Sequence, residues 1–257
     1  MSDPKQKSIA LPLLVIAGTA ATIAVNWLAA AGLVNGVTPD AVSDRYQTIL
    51  TPAGYAFAIW SVIYAGLIAF SIYQILPSVR DRYPGVRQLY LATCVLNCIW
   101  ILLWHHYMVA ACLAVIAALA AVLVIIVARL SDRDSLAGAL MTKAVFGIYA
   151  GWVTCATLVN MSIALVDQGF EIGPTAWVVI GVVSILLAGG AAVAVRLKFN
   201  NYLYPIAVAW AVTAIAVKQS GNTPIVVAAA VAAVTGLITA GSVVTKLRDS
   251  SSEADRG

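Results

Sequence analysis

Eight nearly uninterrupted apolar runs dominate this chain: Ile9–Leu33, Pro52–Ile75, Gln88–Trp104, Met108–Val127, Ala144–Val166, Thr175–Val195, Tyr202–Val217 and Pro224–Thr245. A helix needs about 20 apolar residues to cross roughly 30 Å of hydrocarbon, and most of the runs reach that length. Such runs predict an all-α, polytopic membrane helix bundle, because a spanning helix satisfies its own backbone groups in lipid. The shortest run, Tyr202–Val217, has 16 residues. At ~1.5 Å per residue it rises about 24 Å, so it must end in an interface or thin the bilayer. Composition leads to the same class. Of 257 residues, 62% are hydrophobic and 10% charged, whereas a soluble domain is about 25% charged. So few charges cannot coat a water-facing surface, which excludes a soluble enzyme, a disordered chain and a disulfide scaffold.

The cations alternate with the runs. With the N-terminus inside, the inner segments hold Lys5, Lys7, Arg80, Arg82, Arg87, Arg129, Arg133, Lys143, Arg196, Lys198, Lys246, Arg248 and Arg256, against only Arg45 and Lys218 outside. Positive charge favours the cytoplasmic side, so this split predicts eight spans with both termini cytoplasmic; the membrane expected is a bacterial plasma membrane. The net charge of +4 is read as a topology signal, with no nucleic-acid partner. Lys5 and Lys7 before an apolar run imitate a signal peptide, but the run is too long for one and is read as a retained first span. The longest connection, Val34–Thr51, is a candidate lid.

What the spans lack narrows function. Every Asp and Glu falls in a loop or tail, and no Lys or Arg falls in a span core. Ion-coupled transporters, proton pumps and voltage sensors keep ionisable groups within the membrane, so all three are disfavoured. Acid–base and metal catalysis lack their usual residues there too. His105 and His106 point about 100° apart and cannot easily share one metal. They read as an interfacial pair beside Trp104, with an axial haem ligand as the alternative. Cys94, Cys98, Cys112 and Cys155 read as buried small hydrophobes, and no metal site is expected.

What the spans carry instead is aromatic. Trp60 and Tyr64 are four apart; Asn97, Trp100 and Trp104 recur at three and four; Tyr149, Trp152, Ala156 and Asn160 follow at three, four and four. Each set lies on one helix face. One such stripe is ordinarily helix packing with Asn as interhelical glue. Three together suit an apolar ligand pocket with flat walls and a few hydrogen-bonding groups. The predicted ligand-binding set is therefore Trp60, Tyr64, Asn97, Trp100, Trp104, Tyr149, Trp152 and Asn160, with no catalytic residue and no metal.

These segments resemble the translocator protein family, called TspO or tryptophan-rich sensory protein in bacteria. The matching runs are Pro52 with Trp60-Ser-Val-Ile-Tyr64, Asn97-Cys-Ile-Trp100-Ile-Leu-Leu103-Trp104-His105, and Tyr149-Ala-Gly-Trp152-Val-Thr-Cys-Ala156-Thr-Leu-Val-Asn160. The resemblance covers about Ile9 to Val166, five spans. Ile148 stands where the family has proline before Tyr149, Trp104-His105 replaces two phenylalanines, and the loop before Pro52 lacks the family's tryptophan-proline cluster. The resemblance implies a five-helix membrane unit that binds porphyrins, haem among them, and in some members sterol-like lipids. It also associates light-dependent porphyrin breakdown with tryptophans at the positions of Trp60 and Trp152.

The three further spans have no counterpart in that five-helix pattern. The expected organisation is a TspO-like unit over 1–170, a three-helix module over 171–246 and a flexible cytoplasmic tail over 247–257. Ala188-x-x-x-Ala192, Gly190-x-x-x-Ala194 and Gly236-x-x-x-Ala240 mark the module for close helix packing, within the chain or in a homodimer. The leading functional expectation is a membrane sensor or carrier for a planar hydrophobic ligand of the tetrapyrrole class. The alternatives are a tryptophan-dependent porphyrin-degrading enzyme and a structural or assembly subunit bound to a membrane-complex partner.

Overall fold

Helices account for nearly all the secondary structure of the computed structural model, which describes residues 9–79, 82–130 and 135–254 and contains no strand among them. In chain order they are α1 (Ala10–Ala30), α2 (Pro39–Arg45), a 3₁₀ turn (Gly54–Ala58) leading into α3 (Ile59–Tyr73), α4 (Pro84–His105) and α5 (Val109–Arg129). A short α6 (Leu136–Gly138) then runs through a π turn (Ala139–Ala144) into α7 (Val145–Asp167). The last three are α8 (Pro174–Phe199), α9 (Leu203–Lys218) and α10 (Thr223–Ala254). Seven of the helical segments are long and apolar enough to cross a membrane, and α9 is a shorter apolar helix of 16 residues. α10 continues helical to Ala254, beyond residue 247, where the sequence placed the start of a tail. Lys5, Lys7, Arg80, Arg133 and Arg256 of the charge argument lie outside the described residues.

Helix α7 is the hub. It packs against α3, α5 and α9, while α1 rests on α3 and α4. Its side chains are buried nearly all round, from Val145 to Ala164, which explains why its apolar sequence shows no clear lipid face. α9 is seated between α7, α8 and α10. Although short, α9 is buried on the faces that meet these helices and keeps one exposed stripe, Ile206, Trp210, Thr213 and Val217. It nevertheless runs the height of the bundle. At one end Asn201 Nδ2 donates to the Lys143 carbonyl (2.7 Å), and at the other Lys218 Nζ meets Asp44 Oδ1 (2.9 Å).

Glycine permits this seating. A Cβ on Gly151 of α7 would lie 2.6 Å from the Tyr204 carbonyl oxygen, and one on Gly236 of α10 would lie 3.0 Å from that of Pro205. The small-residue motifs are corrected in part. Ala188, Ala192 and Gly236 are buried, but Gly190 and Ala194 are exposed, with nothing within 4 Å of a Gly190 Cβ. Only one face of α8 meets its neighbours, and the Gly190 register misses it. The buried side chains of all eight long helices form one continuous cluster.

Two smaller expectations also change. His105 is fully buried and His106 exposed, so the two do not share one environment. The His105 Nδ1 pairs with the Ile101 carbonyl at 2.8 Å. Cys98 is only half-buried, unlike Cys94, Cys112 and Cys155.

Candidate functional site

The three aromatic stripes meet. Trp60 stands at the centre: its ring stacks on Tyr64 (centroids 5.6 Å, 18° between planes) and tilts against Trp100 (6.0 Å). It also meets Tyr149 (5.9 Å) and Trp152 (6.3 Å) edge to face. Trp100 stacks on Trp104 at 5.8 Å, and Phe57 of the 3₁₀ turn meets Trp152 at 6.0 Å. Each helix supplies its rings from one face, as spacings of three and four require. Offset and edge-to-face contacts at these distances are the favourable arrangements for aromatic pairs.

Two layers result. In the lower one the polar groups pair with each other. Asn26 Nδ2 donates to Asn97 Oδ1 (2.6 Å), and Asn97 Nδ2 donates to the Tyr149 hydroxyl (2.9 Å). Asn26 on α1 was not anticipated; its signal was a lone amide in an apolar run. Trp60, Tyr64, Asn97 and Tyr149 belong to this layer and do not line the cavity above it.

The upper layer encloses a cavity of about 30 Å³. Of the predicted residues, Trp100, Trp104, Trp152 and Asn160 line it. The others that line it are Ser43, Pro52, Phe57, Cys155, Ala156, Val159, Ala211 and Ile215. None is charged. Asn160 is already engaged, accepting from Trp100 Nε1 (3.4 Å) and donating to the Ala156 carbonyl (2.8 Å). Ala211 and Ile215 come from α9, a wall no aromatic pattern could reveal.

The Val34–Thr51 connection covers this cavity, with α2 as its rigid part. Trp104 Nε1 donates to the Pro39 carbonyl at 3.0 Å, and the Arg45 guanidinium lies 4.3 Å from the Tyr107 ring centroid. The Tyr46 hydroxyl donates to Asp167 (3.1 Å); burial and that carboxylate hold its pKa above the ordinary tyrosine value. Asn35 Nδ2 donates to the His105 carbonyl (2.7 Å) and the Thr48 hydroxyl pairs with that of Ser162 (2.9 Å), while from α9 Lys218 pairs with Asp44, Gln219 Nε2 donates to the Thr48 carbonyl (3.0 Å), and the Ala214 carbonyl accepts from Ala53 N–H (3.0 Å). Trp210 Nε1 further holds the 3₁₀ turn through the Ala56 carbonyl (3.0 Å).

No group of three or more His, Cys, Asp or Glu side chains suited to a metal ion occurs among the described residues. The site can therefore hold a ligand by stacking, apolar contact and neutral hydrogen bonds.

Comparison with known proteins agrees with the motif reading and extends it. The family model described as TSPO-like protein matches residues 12–243, from α1 into α10 and so through the last three helices as well. No curated protein and no solved structure matches the chain. With nine-tenths of its length matched and the motif residues of three helices gathered into one aromatic cluster, this integral, multi-pass membrane protein belongs to the TSPO-like protein family.

Proposed function

We propose that the protein is a membrane sensor or carrier for a planar hydrophobic molecule of the tetrapyrrole class, bound in the cavity beneath α2. The observation that carries this reading is the enclosure of Trp100, Trp104, Trp152 and Phe57 around one uncharged space under a lid. Flat apolar walls with few polar groups are the usual make-up of a site for such a ligand. Trp60 and Tyr64 back the walls, while Tyr149, Asn97 and Asn160 fix their positions. A space of about 30 Å³ holds little more than a water or two, so a tetrapyrrole enters only with displacement of α2. Two of the lid's fastenings suit that motion, being exposed polar contacts at the bundle's end. In the same reading that end faces away from the cytoplasm. It carries Arg45 and Lys218, whereas Arg82, Arg87, Arg129, Lys143, Arg196 and Lys198 lie at the other.

Titration of purified protein with protoporphyrin IX, followed by tryptophan quenching, tests the reading. An aromatic stack contributes about 0.5–1.5 kcal/mol beyond burial, and the buried area of one ring about 1.5–3 kcal/mol. Trp152→Ala should thus weaken binding at least about tenfold, while Trp177→Ala, at a half-buried position in the otherwise exposed first turn of α8, should leave it unchanged. Equal affinity in wild type and a folded Trp100→Ala/Trp152→Ala variant would remove the cavity as the site.

A further inference from the structure

We propose that Ser43, on the lid, together with Trp152 on the opposite wall, selects ligands that present a neutral hydrogen-bond acceptor; this rests on the binding reading above. Ser43 is 2% exposed and Trp152 4%, and both line the cavity. Among the described residues, the Ser43 hydroxyl and the Trp152 indole N–H are the cavity's two buried side-chain polar atoms without a hydrogen-bond partner. The other polar atoms there are committed: Asn160 to Trp100 and Ala156, and the Trp104 N–H to Pro39. Buried donors left unpaired are costly and uncommon in folded proteins.

The two orphans sit on different elements, one on α2 and one on α7. A ligand oxygen that accepts from both joins lid to wall, so the polar atom of the ligand holds the displaced α2 to α7. A ligand without an acceptor closes the lid over two unsatisfied donors. A carboxylate is also disfavoured, because no cation lines the cavity to offset the loss of its hydration. The class selected is a flat hydrophobic molecule with a carbonyl, ester or comparable neutral oxygen at its edge. Ser43 is a specificity residue here, and the sequence surrounding it carries no motif that announces the role.

The test uses the full chain in lipid nanodiscs and three porphyrins that differ at their edges: octaethylporphyrin, with no oxygen; protoporphyrin IX dimethyl ester, with neutral carbonyls; and protoporphyrin IX, with free carboxylates. Wild type should bind the ester about tenfold more tightly than either of the others at neutral pH, the scale of one well-made hydrogen bond. Ser43→Ala should bring the ester to within about twofold of octaethylporphyrin, whose own affinity stays unchanged. Ser43→Thr keeps a hydroxyl and should keep the preference, and Trp152→Phe should reduce it. If Ser43→Ala retains the tenfold preference, or weakens both neutral porphyrins alike, the selection role is overturned and Ser43 is a packing residue. If none of the three porphyrins binds wild type, the tetrapyrrole reading itself falls.

Discussion

Lys218, the last residue of α9, reaches Asp44 on the lid helix at 2.9 Å. The contact ties α9, late in the chain, to a connection between the first two spans, so α9 takes part in closing the site. Exposed ion pairs of this kind contribute about 0.2–1 kcal/mol and weaken in salt. Lys218→Ala should therefore raise lid opening about two- to fivefold. Maleimide labelling of Cys155, which lines the cavity, reads this in a variant lacking the other three cysteines. Added salt should speed labelling of that parent protein and leave the Lys218→Ala rate nearly unchanged.

The Asn26–Asn97–Tyr149 chain predicts a stability effect separable from binding. Asn97→Ala removes the Tyr149 hydroxyl's partner and one of the two acceptors of the Asn26 amide, which keeps the Thr22 carbonyl, at about 1–3 kcal/mol for a buried unsatisfied group. Thermal unfolding in detergent should show a clear loss for Asn97→Ala and a smaller one for Tyr149→Phe. Porphyrin affinity of the folded fraction should change by less than about threefold, because Asn97 does not line the cavity.

Helix packing gives a paired prediction. Gly236→Leu drives a side chain into the Pro205 backbone of α9 and should destabilise by about 1–3 kcal/mol, the usual cost of overpacking. Gly190→Leu meets nothing within 4 Å and should leave thermal stability near wild type. A comparable loss in Gly190→Leu would point to a partner on that face of α8.

Orientation is checked by cysteine accessibility at Asp40 and Ser135, both exposed and at opposite ends of the bundle. In a cysteine-free background, Asp40→Cys should react with an impermeant thiol reagent in intact cells. Ser135→Cys should react only after permeabilisation. The reverse pattern overturns the proposed placement of the termini.

Helix faces were legible because periodicity is local: residues three and four apart share a side whatever surrounds them. Trp60, Trp100 and Trp152 were identifiable on that ground. What each polar group does was not legible. Asn97 and Asn160 carry the same side chain on similar stripes, yet one is paired with α1 and the other lies at a cavity wall. That difference depends on which helices become neighbours, information held in long-range packing. Ala211 and Ile215 were hidden for the same reason, since a small apolar residue on an apolar helix carries no pattern of its own. Ser43 was hidden because a serine in a loop is ordinarily solvated, and its burial follows from where α2 settles.

The late position of α9 in the chain has a consequence for biosynthesis. Trp60, Trp100 and Trp152 leave the ribosome well before Ala211, Ile215 and Lys218. A nascent protein halted after α7 would contain all eight residues of the aromatic pattern, but its cavity would lack one wall and its lid the α9 fastenings. Ligand supplied during synthesis would meet an open trough rather than a closed chamber.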